Sequence, residues 1–585
     1  MPCQNCGPGW HIFLEGEYVA RKLCKKMEEF SKEKELYELL VQYDIPIDVA
    51  ARLKQGKVTV DKLKEDPYQI IYGVPIYKAE EIARDYTKIT PFDERRLRGY
   101  LSNTMERAQQ NGNTCLSIAD VAQQVNACRK RSPIFHEIPI PASVLYLSIK
   151  KNDFFLSLHE VSGKTWLYQK KIWDEENNLV FHAKRIQTSR HDLMDEVREE
   201  EIEELTGFHF NEGQKNALQL LKTSGIKVVT GPPGSGKTAL ILGVIQGFLL
   251  KFPRGKIQLA ATTGAASQVM KRSCGHTAKT VHKLLDIRPI GDTITSRESN
   301  DPIPADLLIV DEVSMMDLQV ASCLFKAVRS GTLVVLVGDV DQLSSVGYGS
   351  VLRDLIKSEI VEVYYLTEVM RQSGLICENA RKVNLGQTDL LTDDSFEIRE
   401  FRDPLSAMMS MMKSVQIENS MVLSPVRKDI LGTENINDLL QDKNNVFCFS
   451  YGDRNFFVND RIIMTKTNYT KGYFNGDIGT IESFDDGYLK VRFTEKELFL
   501  TKDDFEYIEL AYCITIHKSQ GSEADVIHVL LPEKPENMLV RNMIYTAITR
   551  AKKKVIIYSV NGALWYGIKN RGRLRLTQLS IRLKS

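Results

Sequence analysis

Residues 231–238 read GPPGSGKT, the G-x-x-x-x-G-K-[ST] spacing of a loop that wraps phosphate. Gly231, Pro232, Pro233, Gly234, Ser235 and Gly236 supply a turn whose backbone N–H groups curl around a β-phosphate. Lys237 adds a point charge at the β/γ oxygens, and the Thr238 hydroxyl is a ligand for Mg²⁺. An apolar run (Ile226 to Val229) leads in and an amphipathic stretch (Ala239 to Leu250) leads out. That is strand, loop and helix, with the helix N-terminus aimed at the anion. The motif predicts that the chain binds a nucleoside triphosphate with Mg²⁺.

Further chemistry follows at strand ends. Asp311 and Glu312 close the apolar run Leu307 to Val310. A carboxylate at the C-terminal tip of a parallel strand lies beside the phosphate loop, where Asp311 can hold Mg²⁺ and Glu312 can polarise an attacking water. A second buried strand, Leu333 to Val337, ends in Gly338-Asp339 with Gln342 close behind, a placement suited to sensing a γ-phosphate. Arg371, in LTEVMRQ, and Arg550, in YTAITRAK, lie far apart in sequence. Arginines supplied across a cleft stabilise the charge that phosphoryl transfer spreads over the γ-phosphate.

The elements that must position these groups alternate strand and helix from Gly207 onward, which predicts an α/β protein with parallel sheets and crossover helices. Arg454 to Leu510 breaks the rhythm with short strands and turns such as Asn475-Gly476 and Asp486-Gly487, as a small inserted β-barrel would. Residues from about 30 to 130 carry apolar positions at helical spacing (Leu36, Leu39, Leu40, Val49, Leu53). Gly73-Val74-Pro75 followed by Ala79, Ile82 and Ala83 suits a helix-hairpin-helix unit gripping a DNA backbone, or equally a plain helical bundle. Residues 140 to 185 mix helix-like and strand-like patterns that fit a small winged-helix-type module. The acidic stretch Asp195 to Glu204 marks a boundary.

At 585 residues the chain is too long for one core, so roughly three to five domains are expected. Its 43% hydrophobic and 26% charged residues describe an ordinary soluble protein, and neither a membrane span nor a signal segment is evident. With 77 basic residues against 76 acidic, any nucleic-acid contact must come from local patches. The ten cysteines are mostly scattered through apolar segments such as those of Cys323, Cys377 and Cys513, which suggests free thiols in a reducing, cytoplasmic setting. Cys3 and Cys6 in CQNCG, with His11 and Cys24 downstream, are candidate zinc ligands, although a second C-x-x-C is missing. Lys569 to Lys584 contains six basic residues and no acidic one. A solvated tail, a phosphate track or a docking segment for a protein partner all suit it.

FNEGQKNA (210–217), GPPGSGKT, ATTGAAS (261–267), TVHKLL (280–285), DEVSM (311–315), VGDVDQLSSVGYG (337–349), MRQ (370–372), YCITIHKSQGSE (512–523) and YTAITRAK together resemble the ordered motifs of superfamily-1 helicases, and within them the RecD-like 5′→3′ DNA helicases. The resemblance covers about 207 to 562. DPYQI, GVPIYKAEEIA and NGNTCLSIADV extend it to the helix-hairpin-helix segments that precede the motor in stand-alone RecD-like proteins. It implies two RecA-like motor domains (207–365, and 366–453 with 511–565) and an SH3-like barrel (454–510). Ahead of them come a cysteine-containing segment (1–30), a helix-hairpin-helix region (31–135) and a winged-helix-like module with an acidic linker (136–206), and a basic tail (566–585) follows.

The resemblance also implies that Gln214 reads adenine. Single-stranded DNA would be touched by Thr263, Gly264, His282, Thr515, His517, Lys518, Ser519 and Gln520. A strand-separating hairpin would fall within 287–304, its tip at Gly291-Asp292 or in Ser296 to Asp301. The implied activity is an ATP-dependent 5′→3′ DNA helicase acting as a monomer on single-stranded and forked DNA in repair, recombination or replication. The alternatives are a viral-type RNA or DNA helicase, a translocase subunit that needs a partner, and a DNA-end scaffold with a dead motor.

Overall fold

The computed structural model describes residues 34–585 apart from 47, 57, 71–73, 152–154, 291–292, 369–373, 417–418, 469–470, 494–495 and 534–538. The Cys3, Cys6, His11 and Cys24 set, Gly73, the Gly291-Asp292 tip and Arg371 therefore lie outside the described residues. The chain divides into two compact units, one ending at Trp173 and the other spanning Asp174–Ser585.

The first unit opens as a helical region. Leu36, Leu39, Leu40, Val49 and Leu53 are all buried, as the three-and-four spacing requires. Helices Val60–Glu65, Ile76–Tyr86 and Glu94–Gln110 pack around a buried ion pair in which Arg96 donates to Glu80 at 2.6 Å. Both side chains are fully buried, and Tyr100 donates to the same carboxylate at 2.9 Å. Helix Glu94–Gln110 is followed by strand Cys115–Ser117, helices Ile118–Arg129 and Ala142–Lys151, and a hairpin of Leu156–Val161 with Lys164–Gln169. The hairpin turns at Ser162 (φ 50°) and Gly163 (φ 72°), the left-handed pair a tight hairpin needs. All three strands are antiparallel, with Lys164–Gln169 in the middle. The mixed pattern of 140–185 is thus joined by a helix and a strand from farther upstream.

The second unit contains two parallel sheets. The first orders its strands as Glu362–Tyr365, Gly225–Thr230, Leu333–Gly338, Leu307–Asp311, Ile257–Ala261 and Ala278–Thr280, every pair parallel. Its central strands are buried along their length, which is why they read as continuous Val/Ile/Leu runs. The second orders Phe396–Phe401, Ala551–Val560, Ala524–Leu531, Ser420–Ser424 and Cys513–Thr515, again all parallel. This is the RecA-like α/β architecture expected, twice over. Between Ser420–Ser424 and Cys513–Thr515 sits a five-stranded antiparallel sheet, Arg461–Met464 to Ile508–Leu510. It closes over an aromatic core in which the Phe449 and Phe505 rings stack 3.9 Å apart. A short antiparallel hairpin, Arg288–Ile290 with Thr293–Thr295, stands where the strand-separating element is expected. The described cysteines are free; Cys513 is buried, and Cys323 and Cys377 are half-buried.

Removing one partner of a buried ion pair strands the other charge and costs about 3–5 kcal/mol. Glu80→Ala is therefore expected to accelerate hydrogen exchange across Ile76–Tyr86 and Glu94–Gln110 while leaving the two parallel sheets unchanged. Unaltered exchange in those helices would contradict the role given to the pair.

Candidate active site

The phosphate loop is built by a buried strand feeding a helix through left-handed glycines, Gly234 (φ 80°) and Gly236 (φ 79°). Gly231 is required for a different reason. A Cβ there would stand 2.6 Å from the Leu366 carbonyl oxygen. Lys237 Nζ folds onto the loop, donating to the carbonyls of Gly231 (2.7 Å) and Pro232 (2.8 Å). Those are weak partners for an ammonium group, and phosphate oxygens would replace them. Gln214 is buried in a capping box: its Oε1 accepts from Asn211 N–H and its Nε2 donates to Gly236 O at 3.3 Å. Here its amide props the phosphate loop.

Asp311 ends its strand beside Lys237 and Thr238 in a cleft of about 810 Å³. Its carboxylate accepts the Glu312 N–H at 2.8 Å. Burial and the neighbouring Glu312 charge push its pKa from the ordinary 3.8 to about 7, with Lys237 opposing. Glu312 adopts φ 55°, a left-handed conformation costly for a residue with a Cβ. It is pinned by the Thr262 hydroxyl, which donates to its carbonyl at 2.9 Å. Thr238 and Asp311 offer the hard oxygens that Mg²⁺ takes.

Across the cleft the two sheets meet through a buried polar cluster. Arg550 Nη2 donates to Gln342 Oε1 at 2.9 Å, and Gln342 Nε2 reaches Asp339 Oδ2 at 3.3 Å. Tyr545 donates its hydroxyl to the same Asp339 oxygen at 2.9 Å. Burial raises the pKa of both Asp339 and Tyr545. Gln342 and Asp339 belong to the first sheet's domain, Arg550 and Tyr545 to the second's. The sequence singled out Gln342 and Arg550 but missed Tyr545, although it lies in the same YTAITRAK segment. Arg272, Arg461 and Lys552 also line the cleft and were missed. Only Lys552, in the basic run after Arg550, carried a sequence signal.

The residues expected on DNA fall into two groups. His282 and His517 are exposed, and Thr515 is half-buried. Thr263 caps its helix by accepting from Ala266 N–H at 3.1 Å, and Lys518 pairs with Glu509 at 2.7 Å. Ser519 and Gln520 are buried and engaged with protein: Ser519 donates to Ile516 O (2.8 Å) and Gln520 to Leu343 O (3.2 Å). Gly264 is packed under Phe474, whose ring base a Cβ would strike. Around Ser296 to Asp301 the chain is irregular, with an Arg297–Asp301 ion pair at 3.3 Å.

The helix-hairpin-helix domain of the ATP-dependent RecD2 DNA helicases matches residues 29–115, an AAA domain matches 209–398, and a UvrD-like helicase C-terminal domain matches 510–558. The ATP-dependent RecD2 DNA helicase of Deinococcus radiodurans is 32% identical over 59% of this chain, and the chain spans 48% of that protein. The RecBCD enzyme subunit RecD of Mycobacterium tuberculosis is 25% identical over 82% of this chain and 90% of its own length. Among solved structures, Bacteroides Pif1 bound to single-stranded DNA aligns over 61% of this chain and 94% of its own, with 20% identity and a TM-score of 0.43. In class, the chain is similar to ATP-dependent DNA helicases over both of its parallel-sheet domains. Within that class the resemblance is to the RecD2 type, whose helix-hairpin-helix domain matches upstream of the AAA domain.

Because the buried Asp311 carboxyl keeps its proton to higher pH than an unfolded aspartate, the folded protein loses stability as pH rises from 3.8 to about 7. Asp311→Asn removes that cost. In the nucleotide-free protein it is expected to raise Tm more at pH 8 than at pH 5, measured by thermal melting. An equal gain at both pH values, or a loss at pH 8, would contradict the burial of this charge.

Proposed function

We propose that this chain translocates 5′→3′ along single-stranded DNA and unwinds duplex DNA at the expense of ATP. The observation that carries the reading is the Gln342–Arg550 hydrogen bond, which joins a γ-phosphate-sensing position on one motor domain to a charge-stabilising arginine on the other. Lys237 and the loop amides bind the β- and γ-phosphates, and Phe208, half-exposed at the cleft rim, is placed to stack on the base. Glu312 orients and deprotonates the attacking water, while Gln342 and Arg550 follow the γ-phosphate. Mg²⁺ held by Thr238 and Asp311 would neutralise charge on the β- and γ-oxygens. Arg371 is assigned the second charge-stabilising role from its motif alone.

Each nucleotide cycle then rearranges the contact between the motor domains. The faces bearing Thr263, His282, Thr515 and His517 grip the DNA backbone alternately, in a sequence-tolerant way. The hairpin at 288–295 parts the duplex. The polarity rests on kinship with RecD-like helicases. The free thiols of the described residues fit a reducing, cytoplasmic setting, where the chain acts as a monomer in DNA repair, recombination or replication. A second reading, a translocase subunit completed by a partner, is favoured by the long alignment to RecBCD subunits.

Two partial duplexes, one with a 5′ single-stranded tail and one with a 3′ tail, separate these readings when incubated with ATP and Mg²⁺. Opening of only the 5′-tailed substrate is expected; opening of only the 3′-tailed one would reverse the polarity. DNA-stimulated ATP hydrolysis without unwinding of either would favour the partner-dependent subunit. Lys237→Ala is expected to abolish hydrolysis while DNA binding stays close to wild type, and retained hydrolysis would overturn the site assignment.

A further inference from the structure

The basic C-terminal run is not a solvated tail. After helix Ala563–Lys569, on the second motor domain, the chain extends back over the first and ends in helix Leu579–Lys584, which packs on helix Val351–Ser358. Leu579 and Leu583 are buried there, Thr577 donates to Asp354 at 2.6 Å, and Arg582 donates to Glu176 at 2.7 Å. Arg571 and Arg573 remain exposed.

Arg575 sits at the centre of this strap. Its Nη1 donates to Ser345 Oγ (3.0 Å), Gly347 O (2.7 Å) and Gly349 O (2.7 Å), and its Nη2 donates to Ser345 O. All four acceptors belong to the loop that begins three residues after Gln342. The other side of that loop is equally constrained. A Cβ at Gly347 would collide with the Asp317 carboxylate, and Gly349 (φ 94°) lies against Leu318. Asp317 in turn caps its helix by accepting from Val320 N–H at 2.9 Å. A planar fork of N–H donors can satisfy several carbonyls of one loop at once, which a single ammonium cannot.

We propose that Arg575 is a positioning residue for ATP hydrolysis: reaching from the second motor domain, it fixes the loop that sets Gln342 against the γ-phosphate. This rests on the helicase reading above. Withdrawing the clamp lets the loop relax and misplaces Gln342 without touching the groups that bind nucleotide, so turnover falls while ATP affinity holds.

The test is steady-state ATP hydrolysis with saturating single-stranded oligonucleotide, for wild type, Arg575→Ala and Thr577→Val, with folding checked by thermal melting. Arg575→Ala is expected to lower kcat about tenfold or more, as loss of alignment does, with KM for ATP nearly unchanged. Thr577→Val loosens the same strap at a different point and is expected to keep wild-type kcat. Where Arg575→Ala is too unstable to assay, Arg575→Lys is expected to lose kcat in the same direction by a smaller factor. Wild-type kcat in the Arg575 variants would overturn the proposal, as would equal losses in the Arg575 and Thr577 variants, which would make the strap a general brace. Absence of DNA-stimulated hydrolysis in the wild type would instead overturn the helicase reading on which the proposal stands.

Discussion

A charged guanidinium withdrawn from water must be hydrogen-bonded, and Arg550, almost fully buried, meets that requirement across a domain boundary. One of its partners is Gln342 Oε1 on the opposite parallel-sheet domain, and another is the Thr546 carbonyl of the helix that precedes it. Asp339 and Tyr545 repeat the arrangement beside it. Neither domain alone satisfies this cluster, so while it stays buried its hydrogen bonds require the two domains to be in register. A γ-phosphate in the adjoining cleft would be a competing partner for the same donors. On the proposed reading, that competition would let one bound nucleotide change the fit between the two domains.

The parallel sheets bring the competing groups together. Each site residue of the first sheet lies at or just beyond a strand's C-terminal end, where loops and helix N-termini converge. The second sheet presents helix Arg541–Ile548 to the Asp339–Leu343 loop, where Thr546 Oγ1 accepts the Leu343 N–H at 3.1 Å. Gln520 reaches the Leu343 carbonyl from the segment expected on DNA. The loop bearing Gln342 and the segment expected on DNA thus share an anchor at Leu343. Arg575 and the closing strap hold the far end of that same loop.

Much of this was legible in the sequence because its causes are local. Buried parallel strands must be apolar throughout, so Ile226 to Val229, Leu307 to Val310 and Leu333 to Val337 announce themselves, and phosphate binding imposes a fixed spacing on Gly231 to Thr238. The remainder depends on contacts between distant residues. Nothing in the sequence marks Tyr545 as a partner for Asp339, two hundred positions away, or separates the buried Ser519 and Gln520 from the exposed His517 beside them. The run from Lys569 to Lys584 reads as solvated because its charges outnumber its apolar residues locally. Only the fold supplies the carbonyls and carboxylates that take up Arg575, Arg582 and Lys584. Strand Cys115–Ser117 is too short to show alternation, which hides the upstream part of the three-stranded sheet in the first unit.

The most direct test of the account is a double-mutant cycle across the cleft, with kcat for DNA-stimulated ATP hydrolysis measured for wild type, Gln342→Ala, Arg550→Ala and the double variant. If the two side chains act as one coupled device, the double variant loses little more than the worse single variant, so that the effects are strongly non-additive. Independent losses that multiply in the double variant would contradict the claim that this contact links nucleotide sensing to the fit between the motor domains.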